Sequence, residues 1–436
     1  MDPAQSNPPP AGGTTSVPPT PAPPIDNGDS STINGDNPIA NPSSSQILQE
    51  KETGNLNTMA SISKAETLDT SYPQVNHAAN TNKGESYDQI RKLGEKIEHA
   101  VIPEDLKTQL NERVARLALV RSGAGFMSST YILEYEQTSR YVTWVVNLPW
   151  DKKSKDLLDL ARAREILDHN HYGLAMLKQR VIEYIASIML NIKNNGPEFI
   201  TRSPILCFVG LAGTGKTTFA KSVAEALGRQ FERIPFGGMA DSRVLRGQSR
   251  FFPDAEPGSI IKHLVHAKNK NPVILLDELD RVTETARSDI MGVLIELLDP
   301  EQNSAFTDHY IDYPFNLSSS LFVATANNTT AISTAVLDRL EIIQMPSYTD
   351  EEKIMIGKNY VFPKTRELIG LKGEQLTISD EVWANITRPL GYDSGIRSLE
   401  RTISGICRKA AQMIVEKQAT TVVVTNANIK QFLPQW

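Results

Sequence analysis

The chain has 436 residues, a net charge of −6 and only two cysteines, Cys207 and Cys407. That length accommodates roughly two or three domains, and the acidic balance argues against nucleic acid as the main partner. Two cysteines build no disulfide framework, and with no secretory signal and no apolar run of membrane-spanning length, a reducing cytoplasm is the expected location.

Residues 1–85 are rich in Pro, Ser and Asn, with a proline run at Pro8, Pro9 and Pro10 and almost no aromatics. So little apolar area cannot offset the entropy of ordering, and a disordered tail with extended polyproline-like stretches is expected. A plain tether is favoured over a docking tail. From 86 to 150 the pattern turns helical. Ile90, Leu93, Ile97, Ile102, Leu106 and Leu110 predict a helix pair broken near Pro103, and Leu117 and Leu119 extend it. Tyr131 to Val146 forms a further amphipathic helix, ended at Asn147–Trp150, where Pro149 disfavours helix in the residue before it.

Strands and helices then alternate to about Met345, the pattern of a parallel sheet with crossover helices. Ile205–Val209 is a continuous apolar run that reads as a buried strand. Gly210, Leu211, Ala212, Gly213, Thr214, Gly215, Lys216 and Thr217 follow it and match GxxxxGK[ST]. Thr218 leads on into a helix with Phe219, Ala220, Val223, Ala226 and Leu227 on its apolar face and Gly228 placed as its cap. Strand, glycine-rich turn and helix N-terminus together make a phosphate cradle. Loop N–H groups face the anion, Lys216 reaches the outer phosphates and the Thr217 hydroxyl can ligate Mg²⁺. Binding of a nucleoside triphosphate is expected.

A second apolar strand, Val273–Leu276, ends in Asp277 and Glu278. A carboxylate there can hold the water shell of Mg²⁺, and its neighbour can orient or deprotonate an attacking water. A third, Leu321–Ala326, puts the amide of Asn327 at its tip, where it can fix that water. Arg339 stands just before a further strand and, by itself, reads as a surface ion pair. His263 and His266 are three apart on a predicted helix, with no third ligand nearby, so a solvated face or a core contact is expected rather than a metal. Beyond Pro346 the chain reads mostly helical, with Asp350, Glu351 and Glu352 favoured at a helix N-terminus and one β-branched run at 420–425.

From about Leu93 onward, roughly four fifths of its length, the chain resembles the ATPase module of Lon proteases, members of the AAA+ class of ring-forming ATPases. The markers are Asn147–Trp150, Leu167–Leu174, Leu298–Asn303, Phe306–Tyr310, Gly395–Arg397 and Leu399–Arg401. The resemblance implies an α/β fold, an AAA+ P-loop parallel sheet flanked by helices. Its units would be the disordered tail (1–85), a helical neck (86–150), a large ATPase domain (151–346) and a small helical lid (347–436). It implies ATP and Mg²⁺ as ligand and cofactor. By resemblance, His171, Tyr172 and Gly173 line the adenine pocket and Asn327 is sensor 1. Arg339 is the arginine finger that reaches a neighbouring subunit's nucleotide, and Arg397 is the sensor-2 arginine of the same chain.

Two departures from the family stand out. The chain stops at Trp436, where Lon proteins continue into a Ser–Lys protease domain, and the family's large N-terminal substrate-binding domain is not matched. In the substrate-gripping pore loop Phe252 keeps the aromatic, but Pro253 and Asp254 replace an aliphatic residue and a glycine. The expectation is an ATP-driven unfoldase or remodeller, a homo-oligomeric ring of six by resemblance, acting on unfolded or misfolded protein and without its own peptidase site. The alternatives are the ATPase half of a Lon-type peptidase with its protease on another chain, and a nucleotide-dependent switch or scaffold.

Overall fold

The computed structural model describes residues 83–124, 128–196, 204–388 and 395–433, so the tail expected over 1–85 lies almost wholly outside the described residues. The first three helices are α1 (Lys83–His99), α2 (Glu104–Ala124) and α3 (Ser129–Asn147). The break between α1 and α2 falls at Pro103, as the sequence predicts. Leu93, Ile97, Ile102, Leu106 and Leu110 are buried in one cluster and Leu117 is also buried, but Leu119 is 71% exposed. Two residues are about 200° around an α-helix, so Leu119 cannot share the face of Leu117. The end of α3 and the residues after it dock on the rest of the fold: Trp150 packs 5.2 Å from the Phe315 ring, and Tyr141 donates its hydroxyl hydrogen to the Ile311 carbonyl at 3.0 Å.

Two helices, α4 (Leu160–Asn170) and α5 (Ala175–Asn195), precede strand β1 (Ile205–Val209). Then follow α6 (Lys216–Leu227), β2 (Phe231–Pro235), α7 (Arg243–Arg246), α8 (Ser259–Ala267), β3 (Val273–Asp277) and α9 (Arg287–Leu298). A small antiparallel pair, β4 (Phe306–Thr307) and β5 (Pro314–Phe315), comes before β6 (Leu321–Ala326), α10 (Thr334–Leu337) and β7 (Leu340–Gln344). The main sheet has five strands in the order β2-β3-β6-β1-β7, all parallel. Its inner strands β1, β3 and β6 are buried throughout, which is why they read as unbroken apolar runs. Leu206, Phe208, Leu275 and Val323 face α4, α5 and α6, while Cys207, Ile274, Leu276 and Ala324 face α8 and α9.

This strand order positions the site. Because β6 lies between β1 and β3, the residues following all three strands emerge side by side at the C-terminal edge, where open α/β sheets bind ligands. Gly228 ends α6 in the left-handed region (φ 68°), and a Cβ there would meet Leu157 at 2.7 Å. The segment carrying Leu157 is fixed by the buried Arg229–Asp156 pair at 2.8 Å.

After Met345 come α11 (Asp350–Ile356), α12 (Phe362–Leu368), β8 (Leu376–Ile378), α13 (Trp383–Thr387), α14 (Arg397–Val415), β9 (Val422–Val424) and α15 (Ile429–Phe432). Their own core is built on Trp383, Ile403 and Cys407. Thr349 and Glu352 form a reciprocal capping box at the start of α11, beside the acids expected there. The β-branched run at 420–425 supplies β9, which pairs in parallel with β8. That partner is absent from the sequence reading because three residues give no period to detect.

Candidate active site

The glycine-rich loop connects β1 to α6. Gly210 is pressed against the chain that leaves β7, and a Cβ on it would lie 2.6 Å from the Met345 carbonyl oxygen. Gly215 enters α6 at φ 93°, a conformation that favours glycine. Lys216, the first residue of α6, turns its ammonium back across the loop and donates to the carbonyls of Gly210 (2.6 Å) and Leu211 (3.0 Å) and to Asn327 Oδ1 (3.0 Å). Burial lowers its pKa from the usual lysine value, and the carboxylates of Asp280 and Asp277 oppose that. The Thr214 and Thr218 hydroxyls brace the loop by donating to the carbonyls of Leu211 and Gly215. Leu211 is half exposed at the loop's crest.

Thr217 and Asp277 come together. The hydroxyl lies 3.3 and 3.4 Å from the two carboxylate oxygens of Asp277. Asp277 also accepts from the Thr325 hydroxyl and from Arg233 Nε, the latter at 2.6 Å. Glu278 adopts φ 60°, a conformation uncommon for a non-glycine residue, and its N–H donates to Thr325 Oγ1 at 2.9 Å. Its carboxylate is 3.2 Å from Arg281. The chain beyond β7 closes the crevice from the other side: Ile396 N–H donates to the Gly213 carbonyl at 3.0 Å and the Tyr348 hydroxyl donates to the Thr214 carbonyl at 3.1 Å. Arg397, which begins α14, lines the same crevice with Ala212, Gly213, Lys216, Thr217, Glu278 and Asn327.

Other candidates lie elsewhere. His171, just after α4 where that helix packs on α6, lies 4.4 Å from the Phe219 ring and 2.9 Å from the Ser222 hydroxyl, and burial pushes its pKa down to about 4. Tyr172 packs on the lid core, and Gly173 adjoins Glu352. Arg339 forms a 2.8 Å ion pair with Asp299 at the end of α9. Phe252 is 60% exposed and its neighbour Phe251 97%, on the loop between α7 and α8. His263 and His266 each place Nδ1 on one oxygen of the buried Glu232 carboxylate, at 2.7 and 2.8 Å, so the contact is to the core rather than to solvent alone. Burial pushes the thiols of Cys207 and Cys407 up to about 12 and about 11, as suits packing residues.

The sequence reading missed Arg233, which lines the crevice, and Asp280 and Thr325, which hold residues that line it. Asp280 accepts both the backbone and side-chain N–H of Asn327, at 3.0 and 3.2 Å. Its signal was a third acid three residues after Asp277. Arg233 is a cation within a short strand. A larger cavity, about 440 Å³, opens between α2, α3 and Arg250 but contains none of the motif residues.

Residues 206–348 match the ATPase family associated with various cellular activities (AAA), and residues 367–423 match the Lon protease AAA+ ATPase lid domain. The fold is therefore that of an AAA+ P-loop ATPase. Its lid makes it Lon-like. Lon protease 2 of Herpetosiphon aurantiacus is 41% identical over 80% of this chain and 41% of its own length. Lon protease of Desulforamulus reducens is 45% identical over 67% of this chain and 35% of its own length, and Lon protease 1 of Bacillus subtilis 40% over 79% and 43%. The chain thus spans well under half of each of these relatives. No described helix is long and apolar enough to cross a membrane.

Proposed function

We propose that the chain is an ATP-hydrolysing motor that unfolds or remodels proteins as a homo-oligomeric ring, with residues 86–150, 151–346 and 347–436 as its neck, large domain and lid. The observation that carries this reading is the convergence of Lys216, Thr217, Asp277, Glu278, Asn327 and Arg397 on one crevice. Phosphoryl transfer is catalysed mainly by positioning and by charge around the transferred group, and this set supplies both.

The loop N–H groups and the positive end of α6 hold the phosphates, and the Lys216 ammonium sits where it neutralises the outer ones. Arg397 brings a second cation from the lid. Thr217 and Asp277 offer a hydroxyl and a carboxylate, hard oxygen donors that suit Mg²⁺. That fits an ion that takes only one or two protein ligands beside substrate phosphates and water. When bound, Mg²⁺ supplies charge neutralisation of the phosphates. Glu278 takes the proton of the attacking water, and Asn327 orients that water. Arg339 serves the nucleotide of the adjacent subunit. Phe252, exposed on its loop, grips the polypeptide. His171, Tyr172 and Gly173 form the wall next to the base. Two buried, unpaired cysteines suit residence in a reducing cytoplasm.

The test is unfolding of a stable fluorescent protein bearing an unstructured tail. Purified chain with ATP and Mg²⁺ should extinguish its fluorescence, and the Lys216→Ala protein should not. Hydrolysis of ATP without any unfolding, across several tails, would contradict the motor reading and leave the ATPase standing.

A further inference from the structure

Asp280 lies in the turn Leu279–Arg281 just after Glu278, and the motifs assign it nothing. Its Oδ1 accepts the backbone N–H of Asn327, and its Oδ2 accepts the side-chain Nδ2 of the same residue. An ionised carboxylate only accepts hydrogen bonds, whereas an amide carries its donor and its acceptor on opposite sides. Asp280 therefore decides which end of the Asn327 amide it meets. The other end, Oδ1, is turned to Lys216 Nζ, a group that only donates. A flipped amide would set C=O against a carboxylate and NH₂ against an ammonium. Two charge-assisted bonds would become two repulsions.

We propose that Asp280 is a positioning residue for ATP hydrolysis: it locks the amide of Asn327 so that Oδ1 holds Lys216 and the second Nδ2 hydrogen faces the phosphate crevice. This rests on reading the crevice as an ATPase site. The backbone bond adds to the lock, because it ties the tip of β6 to the turn that carries Glu278 and so fixes sensor amide and water-activating carboxylate relative to each other. Asp280 itself need not touch the nucleotide.

A double-substitution cycle tests it. Asp280→Asn keeps the volume and one acceptor but tolerates either orientation of the neighbouring amide. It should lower kcat about tenfold to a hundredfold, the scale of a catalytic group misplaced by about an ångström, and leave KM for ATP within about twofold. In an Asn327→Ala background, where no amide remains to orient, the same substitution should lower kcat less than about threefold. A loss of threefold or more in that background, or none in the wild-type background, overturns the proposal while leaving the ATPase reading intact. Unchanged turnover in Asn327→Ala alone would instead refute the part given to Asn327, and this role of Asp280 with it. Should Asp280→Asn fail to fold, Asp280→Glu is read in the same cycle, since a longer carboxylate displaces the amide without removing the charge.

Discussion

Arg339 Nη2 lies 2.8 Å from Asp299 Oδ2, joining the turn before β7 to the residue that ends α9. The guanidinium holds the Asp299 carboxyl below its usual range. A second donor, Nη1, reaches the Ala335 carbonyl at 2.8 Å. The arginine is therefore held in a fixed pose by its own chain, and it is not among the residues that line the crevice.

The first prediction follows from that pose. Arg339→Ala should bind ATP almost normally and hydrolyse it about three to five orders of magnitude more slowly, the worth of an arginine supplied in trans. Mixing it with Lys216→Ala, which retains the arginine but lacks the phosphate lysine, should restore part of the turnover at mixed interfaces. A monomeric mass with turnover independent of protein concentration and no rescue on mixing would contradict the ring.

Gly395 supplies a second prediction, about the lid. A Cβ at this position would lie 2.6 Å from the Ala212 carbonyl oxygen and 2.7 Å from Gly213 Cα. Neither is the end of a flexible side chain, so Gly395→Ala must push the start of α14, and Arg397 with it, off the loop. Overpacking of this kind costs about 1–3 kcal/mol. ATP affinity should fall about tenfold or more, equivalent to about 1.4 kcal/mol, while the sheet domain stays folded. Unaltered affinity by titration calorimetry would show that the lid does not share the nucleotide.

The third prediction concerns pH. His171 has a folded-state pKa of about 4 against an ordinary 6.5, because burial, and then the nearby Lys178, disfavour the imidazolium. As pH falls, the unfolded chain takes up this proton first. The stability contribution is therefore complete above about pH 6.5 and is lost between 6.5 and 4, to a total of about 3 kcal/mol. His171→Gln should show a correspondingly flatter fall in urea midpoint from pH 7 to pH 4.5. An identical fall in both proteins would mean that His171 titrates normally.

Much of the sheet was legible because its inner strands are buried on both faces. Continuous runs such as Val273–Leu276, short and preceded by Pro272, read as buried strands by their length and flanking residues. The phosphate loop was legible for a different reason: backbone geometry at Gly210 and Gly215 and the chemistry of Lys216 demand particular residue types at fixed spacing. Asp280, Arg233 and Thr325 escaped because their importance comes from tertiary neighbours contributed by other strands. Thr325 is merely one more residue of an apolar strand until β3 lies beside it, where its hydroxyl meets both Asp277 and the N–H of Glu278. Strand β8 escaped for want of length, and Leu119 was misjudged because leucines two residues apart on a helix cannot face one seam.

The most direct measurement is steady-state phosphate release by the purified chain and by Glu278→Gln, with Mg²⁺ present, alongside the affinity of each for ATP. The backbone of Glu278 is held at φ 60° by its bond to Thr325, and the residue lines the crevice together with Lys216 and Asp277. Removing the charge should leave ATP binding within about twofold and slow turnover by about two to four orders of magnitude, the range for a positioned base. Equal turnover by the two proteins, or no magnesium-dependent turnover by the wild type, would contradict the assignment of this crevice as the site of ATP hydrolysis.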